Sequence, residues 1–115
     1  MNYNVDSLIE SRMRLSELRN SLRIFKSNLE SSRFKIEKSA IDTSGGNYGK
    51  NAEERERFLK TALFESDSYL DLENRVISLQ NEIELEEAKI ECLRDLRKEL
   101  DYQQKERMID SDVSV

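Results

Sequence analysis

The chain has 115 residues, 37% of them charged and 37% hydrophobic, with a formal net charge of −5; a chain of this length forms one domain. It contains no Pro, Trp or His, so long helices meet no obligatory break, and the commonest general base and metal ligand is missing. One cysteine, Cys92, excludes an intrachain disulfide and argues against a secreted disulfide scaffold.

No N-terminal apolar run resembles a signal peptide, and no apolar stretch of about 18 residues can span a bilayer. The expected location is the cytoplasm.

Residues 1–5 read as a frayed terminus. Asp6 or Ser7 can cap a first helix, and Ser7 with Glu10 has capping-box spacing. From there Leu8, Leu15, Leu22, Leu29 and Ile36 recur every seven residues, with Leu18 and Phe25 between them and Ser11 and Ser32 as weak points. The spacing predicts a helix from about Ser7 to about Ser39, roughly 50 Å long at ~1.5 Å per residue. The pattern then stops. Residues 40–51 hold all three glycines of the chain and read as a loop, longer than a tight helix–helix turn needs.

Asn51 is a good N-cap, and Glu54 three residues on completes a capping-box-like geometry. A second helix of about 52–65 follows, with Phe58, Leu59, Ala62, Leu63 and Phe64 on a broad apolar side. Ser66, Asp67 and Ser68 compete with the helical backbone and predict a break. A third helix of about 67–108 carries Leu72, Val76, Leu79, Ile83, Ile90, Leu93 and Leu100 at alternating four- and three-residue steps. Glu86 and Arg97 interrupt this stripe, which over about four heptads reads as a coiled-coil seam. Residues 110–115 read as a disordered tail.

The predicted fold is therefore all-α: an antiparallel helical hairpin or coiled coil with a short middle helix, a single helical domain over 1–115. Both long helices carry a second apolar set opposite the seam. On the first it is Ile9, Met13, Ile24 and Phe34; on the third it is Leu70, Ile77, Leu85, Ala88, Cys92 and Leu96. A hairpin buries one face of each helix, so the second faces need a partner, and a homo-oligomer is expected. Cys92, among apolar neighbours, is expected to be a buried structural thiol.

Charge is uneven. Residues 1–40 carry eight basic side chains (Arg12, Arg14, Arg19, Arg23, Lys26, Arg33, Lys35, Lys38) against five acids (Asp6, Glu10, Glu17, Glu30, Glu37), while the third helix has runs such as Glu82, Glu84, Glu86 and Glu87. One reading is nucleic-acid binding by the basic half. The other, which we favour, is that a basic helix lies against an acidic one.

No catalytic constellation emerges. Gly45-Gly46-Asn47-Tyr48-Gly49-Lys50 superficially resembles a phosphate-binding loop. A P-loop, however, needs four residues between its glycines, Ser or Thr after the Lys, and a preceding strand. A weaker anion-binding role remains for Gly49, Lys50 and Asn51 at the start of the second helix, where free N–H groups and the dipole favour a phosphate. Arg55 could add a charged donor one turn in. The alternative is an ordinary loop and cap. Tyr48 is the one aromatic placed to stack on a base or ring; Tyr3, Tyr69 and Tyr102 read as packing or exposed residues. The Glu-x-x-His motif of di-iron bundles is absent, and neither a metal nor a cofactor is expected.

The stretch Gly49-Lys50-Asn51-Ala52-Glu53-Glu54-Arg55, followed by Leu59, Leu63, Ser66-Asp67-Ser68-Tyr69 and a Glu/Leu-rich helix, resembles a loose family of small coiled-coil proteins of bacteriophages and bacterial mobile elements. The likeness covers roughly residues 46–100, and Ser68 stands where a Pro is common in that pattern. Some members sit near genes for single-strand annealing recombination. The resemblance implies a phage or mobile-element protein inside a bacterial host cell, with Lys50, Asn51 and Arg55 as the positions it carries over.

The expected function is thus non-enzymatic. The protein would be an accessory factor acting through protein–protein contacts, with single-stranded nucleic acid a further possible target, in recombination or replication. Contact with the ligand or partner falls to Tyr48, Gly49, Lys50, Asn51 and Arg55. The alternative is an oligomeric anti-defence protein that sequesters an anionic nucleotide signal between Lys50 and Arg55 of neighbouring subunits.

Overall fold

A computed structural model describes residues 4–113, with side chains through Met108. The chain is all-helical: α1 spans Val5–Thr43, α2 Ala52–Phe64 and α3 Asp67–Val113. The long helices follow from the unbroken apolar repeat, and the places where they start and stop follow from local capping chemistry.

α1 starts earlier than expected because Asn4, rather than Asp6 or Ser7, is its cap. The Asn4 Oδ1 accepts from the Asp6 N–H at 2.9 Å, and the Asn4 carbonyl accepts from the Leu8 N–H at 3.2 Å. Residues 1–3 of the expected frayed terminus lie outside the described residues. α1 also runs four residues past Ser39. Its end is a Schellman motif, in which the Gly46 N–H bonds the Ile41 carbonyl and the Gly45 N–H the Asp42 carbonyl, both at 3.1 Å. Gly45 has φ 68° there, a left-handed conformation that glycine adopts without steric cost.

The break between α2 and α3 is narrow. Ser66 caps α3: its Oγ accepts from the Tyr69 N–H at 3.3 Å and its carbonyl from the Leu70 N–H at 3.1 Å. α3 continues to Val113, beyond the expected end at about Met108 and into the stretch read as a tail; residues 114–115 lie outside the described residues.

The chain, expected as one domain, packs as two compact units. Among the described residues, one comprises 4–19 together with 82–113; the other is Asn20–Asn81. In the first, the core is Leu8, Ser11, Leu15 and Leu18 of α1 with Ile83, Glu86, Ile90 and Leu93 of α3. Arg14 Nε stands 3.7 Å from Glu86 Oε2, and Arg19 donates to Glu87 Oε1 at 3.2 Å. Basic side chains of α1 thus meet acids of α3. In the second unit Leu63, Tyr69, Val76 and Leu79 are buried, and Leu22, Phe25, Leu29, Ile36 and Leu72 are half-buried. The Arg75 guanidinium lies over the Phe25 ring, 5.6 Å from its centroid.

The seven-residue repeat of α1 and the four–three repeat of α3 therefore point inward, as read, as far as Leu93. Leu100 does not, being 41% exposed. Cys92 corrects the expectation of a buried thiol: it is exposed. The buried stripe at that point is Ile90 and Leu93, and one residue along a helix turns a side chain by about 100°. No helix among the described residues is long and apolar enough to cross a membrane.

Candidate functional site

The segment singled out by sequence lies wholly in the Asn20–Asn81 unit and joins α1 to α2. Asn51 caps α2 from an extended backbone, φ −141° and ψ 174°. Its Oδ1 accepts from the Glu54 N–H at 2.9 Å, and its carbonyl accepts from the Arg55 N–H at 3.1 Å. Glu54 reaches back one residue further than the usual capping box: its Oε2 accepts from the Lys50 N–H at 2.8 Å.

Gly49 sits directly against this cap. A Cβ built there would stand 2.7 Å from the Arg55 amide nitrogen and 2.8 Å from Arg55 Cγ. The close approach, rather than an unusual φ, requires glycine at 49. Tyr48 folds back over α2, its ring centroid 5.9 Å from that of Phe58 at an interplanar angle of 45°. That is the tilted geometry of a packed aromatic pair.

Gly49, Asn51 and Arg55 are thus brought together through backbone, with Tyr48 packed beside them, and the Lys50 and Arg55 side chains are exposed. The electrostatics of an anion seat are mixed. The α2 N-terminus and two exposed cations favour an anion, but the first turn already carries Glu53 and Glu54. The Lys50 N–H is taken by a carboxylate of the chain itself. Further along α2, Glu53 pairs with Arg57 and Glu56 with Lys60 at 3.6 and 3.5 Å on the solvent side, contacts worth about 0.3–0.5 kcal/mol each. In the same unit Arg33 donates to Glu37 at 2.9 Å. The Glu37 hydrogen bond and charge raise the Arg33 guanidinium above its ordinary value.

Among the described residues no three or more His, Cys, Asp or Glu side chains gather as a metal-ligand set. No protein-family model matches the chain, and no curated protein or solved structure matches it.

Proposed function

We propose that this chain is a non-enzymatic interaction protein: an antiparallel helical hairpin that assembles with further copies of itself and presents its α1–α2 segment to a partner. The resemblance described above makes a phage or mobile-element accessory role in recombination or replication the working context. Within the Asn20–Asn81 unit, Phe25 of α1 pairs with Arg75 of α3. That contact between the two long helices supports the hairpin reading.

The observation that carries the assembly reading is the apolar surface left outside both units. Ile9, Met13, Ile24 and Phe34 on α1 and Ile77 and Leu85 on α3 are all exposed, Leu85 by 73%. A shallow depression along α3, formed by Ala88, Cys92 and Leu96 and edged by Glu91, Asp95 and Glu99, adjoins Leu85. Two small residues, Ala88 and Cys92, beside Leu96 and flanked by acids, give a hole of the kind a facing helix fills with a knob. The nucleotide-sequestering alternative needs an open anion seat at the α2 N-terminus, and Glu54 occupies part of that position.

Light scattering tests the assembly. The native chain is expected at a multiple of 13.5 kDa, and Leu85→Glu is expected to lower that mass while leaving helicity by circular dichroism unchanged. Wild-type protein running at the mass of one chain would refute it.

A further inference from the structure

The C-terminal turns of α1 and α2 flank one open crevice of about 410 Å³, inside the Asn20–Asn81 unit. Its apolar part is Ala40, Ala62 and the exposed Phe58 ring; its polar part is Thr43, Ser44, Thr61 and Glu65.

The three hydroxyls have already spent their hydrogens. Thr43 donates to the Ser39 carbonyl at 2.8 Å, Ser44 to the Ile41 carbonyl at 2.7 Å and Thr61 to the Arg57 carbonyl at 2.9 Å. What each has left is lone pairs. Glu65, a carboxylate, adds acceptors only, and no described ion pair uses it. The polar part of the crevice therefore accepts hydrogen bonds and has no side-chain donor to offer.

The ends of α1 and α2 contribute a field of the same sign, offset in part by the N-terminus of α3, which starts at Asp67. A helix C-terminus carries a partial negative charge of roughly half a unit, and two of them meet here. Neither α1 nor α2 has a basic residue in its last turn to offset it. One cation, Lys35, lines an adjoining depression with Ser39, Ala40 and Glu65, and no described ion pair joins it to Glu65. An inorganic divalent ion is poorly served, because it needs several carboxylate oxygens and only one residue here supplies them. Alanine and phenylalanine suit an aliphatic stem, and the face of an aromatic ring attracts an organic cation.

We infer that this crevice seats a cationic side chain of a partner protein: a guanidinium or primary ammonium on an aliphatic stem, as arginine and lysine present it. The inference is independent of self-assembly and of the Lys50–Arg55 segment. It identifies the partner's chemistry as basic, whereas the exposed cations of that segment would select an acidic one.

The experiment is a titration of the isotopically labelled full chain with capped arginine, followed by amide chemical shifts, up to about 50 mM to reach millimolar affinities. Saturating shifts are expected at Thr43, Ser44, Thr61 and Glu65. Capped citrulline, which keeps the shape and loses the charge, is expected to leave those amides still. Glu65→Gln should weaken binding at least about five-fold. Glu53→Gln, which removes the same charge at the other end of α2, should not change it. Equal shifts with citrulline, equal weakening by the two substitutions, or no saturation at these amides would each overturn the proposal.

Discussion

At Gly49 the difference of one methyl group decides whether the α1–α2 connection can lie on the start of α2. The atoms a Cβ would strike include the Arg55 amide nitrogen and, at 3.0 Å, the Glu54 carbonyl carbon. These are backbone atoms of a helix and cannot swing aside as a side-chain tip would. Gly49→Ala must lift the loop from the cap, and is expected to destabilise by about 1–3 kcal/mol in a urea melt; stability equal to wild type would show the approach is not that close. The Arg33–Glu37 pair makes no comparable demand. A raised guanidinium value contributes its stability fully below the ordinary value and loses it only in strong alkali, so the arginine contributes no change across the neutral range. The cap at Asn51 and Glu54 was legible in sequence because its partners lie within four residues. The contact of Gly49 with Arg55 was not, because it depends on how the loop folds back. The crevice at Thr43, Ser44, Thr61 and Glu65 was equally hidden: its residues come from two helices and match no motif.

Along the helices the repeat specifies the inward face, and two of its irregularities prove to be buried. Ser11 is 2% exposed and its Oγ has no hydrogen-bond partner; Glu86 is 8% exposed, and its Oε1 likewise has none. A buried polar atom without a partner costs stability that an apolar replacement recovers. Arg14 offsets part of this cost at the other Glu86 oxygen, from a largely exposed position. Glu86→Leu is therefore expected to raise stability by about 1–3 kcal/mol, and Ser11→Ala to be neutral or slightly stabilising, both read by thermal melts. A large loss on Glu86→Leu would mean the carboxylate has a partner in the assembled protein. Helix identity was legible from periodicity, and so were both ends of α2 and the start of α3, where capping residues mark them. The far ends of α1 and α3 were not, because backbone hydrogen bonds carry α1 past the last apolar repeat until Gly45 takes a positive φ, and apolar spacing says nothing of that.

For the molecule as a whole, what matters is which apolar surface the chain leaves uncovered. Sequence alone identified part of it: Ile9, Met13, Ile24, Phe34, Ile77 and Leu85 are out of phase with the seam and all are exposed, whereas Leu70 and Leu96 of the same expected face are half-buried, and exposed Phe64, Leu100 and Met108 lay outside those sets. Exposed apolar side chains recurring along one helix face mark a candidate interaction site, and the loss of assembly expected for Leu85→Glu follows at this scale. Sequence does not rank these faces, because both long helices offer one. Exposed Cys92 sits in the α3 depression beside Leu96, so a packed copy would shield it.

The end of α3 has a consequence for the lifetime of the protein. From Arg97 to Met108 every side chain is exposed, so this stretch is held by its own backbone hydrogen bonds. Helical segments of about a dozen residues are marginal on their own, and such ends open locally far more often than the core. The stretch also carries Arg97, Lys98, Lys105 and Arg107, four sites for trypsin. Brief digestion is expected to trim α3 there first and leave the remainder intact. Early cuts instead within Ile83–Leu93 would mean that the uncovered end is protected. A partner that shields the end of α3 would thus also determine how long the chain survives in a protease-rich cell.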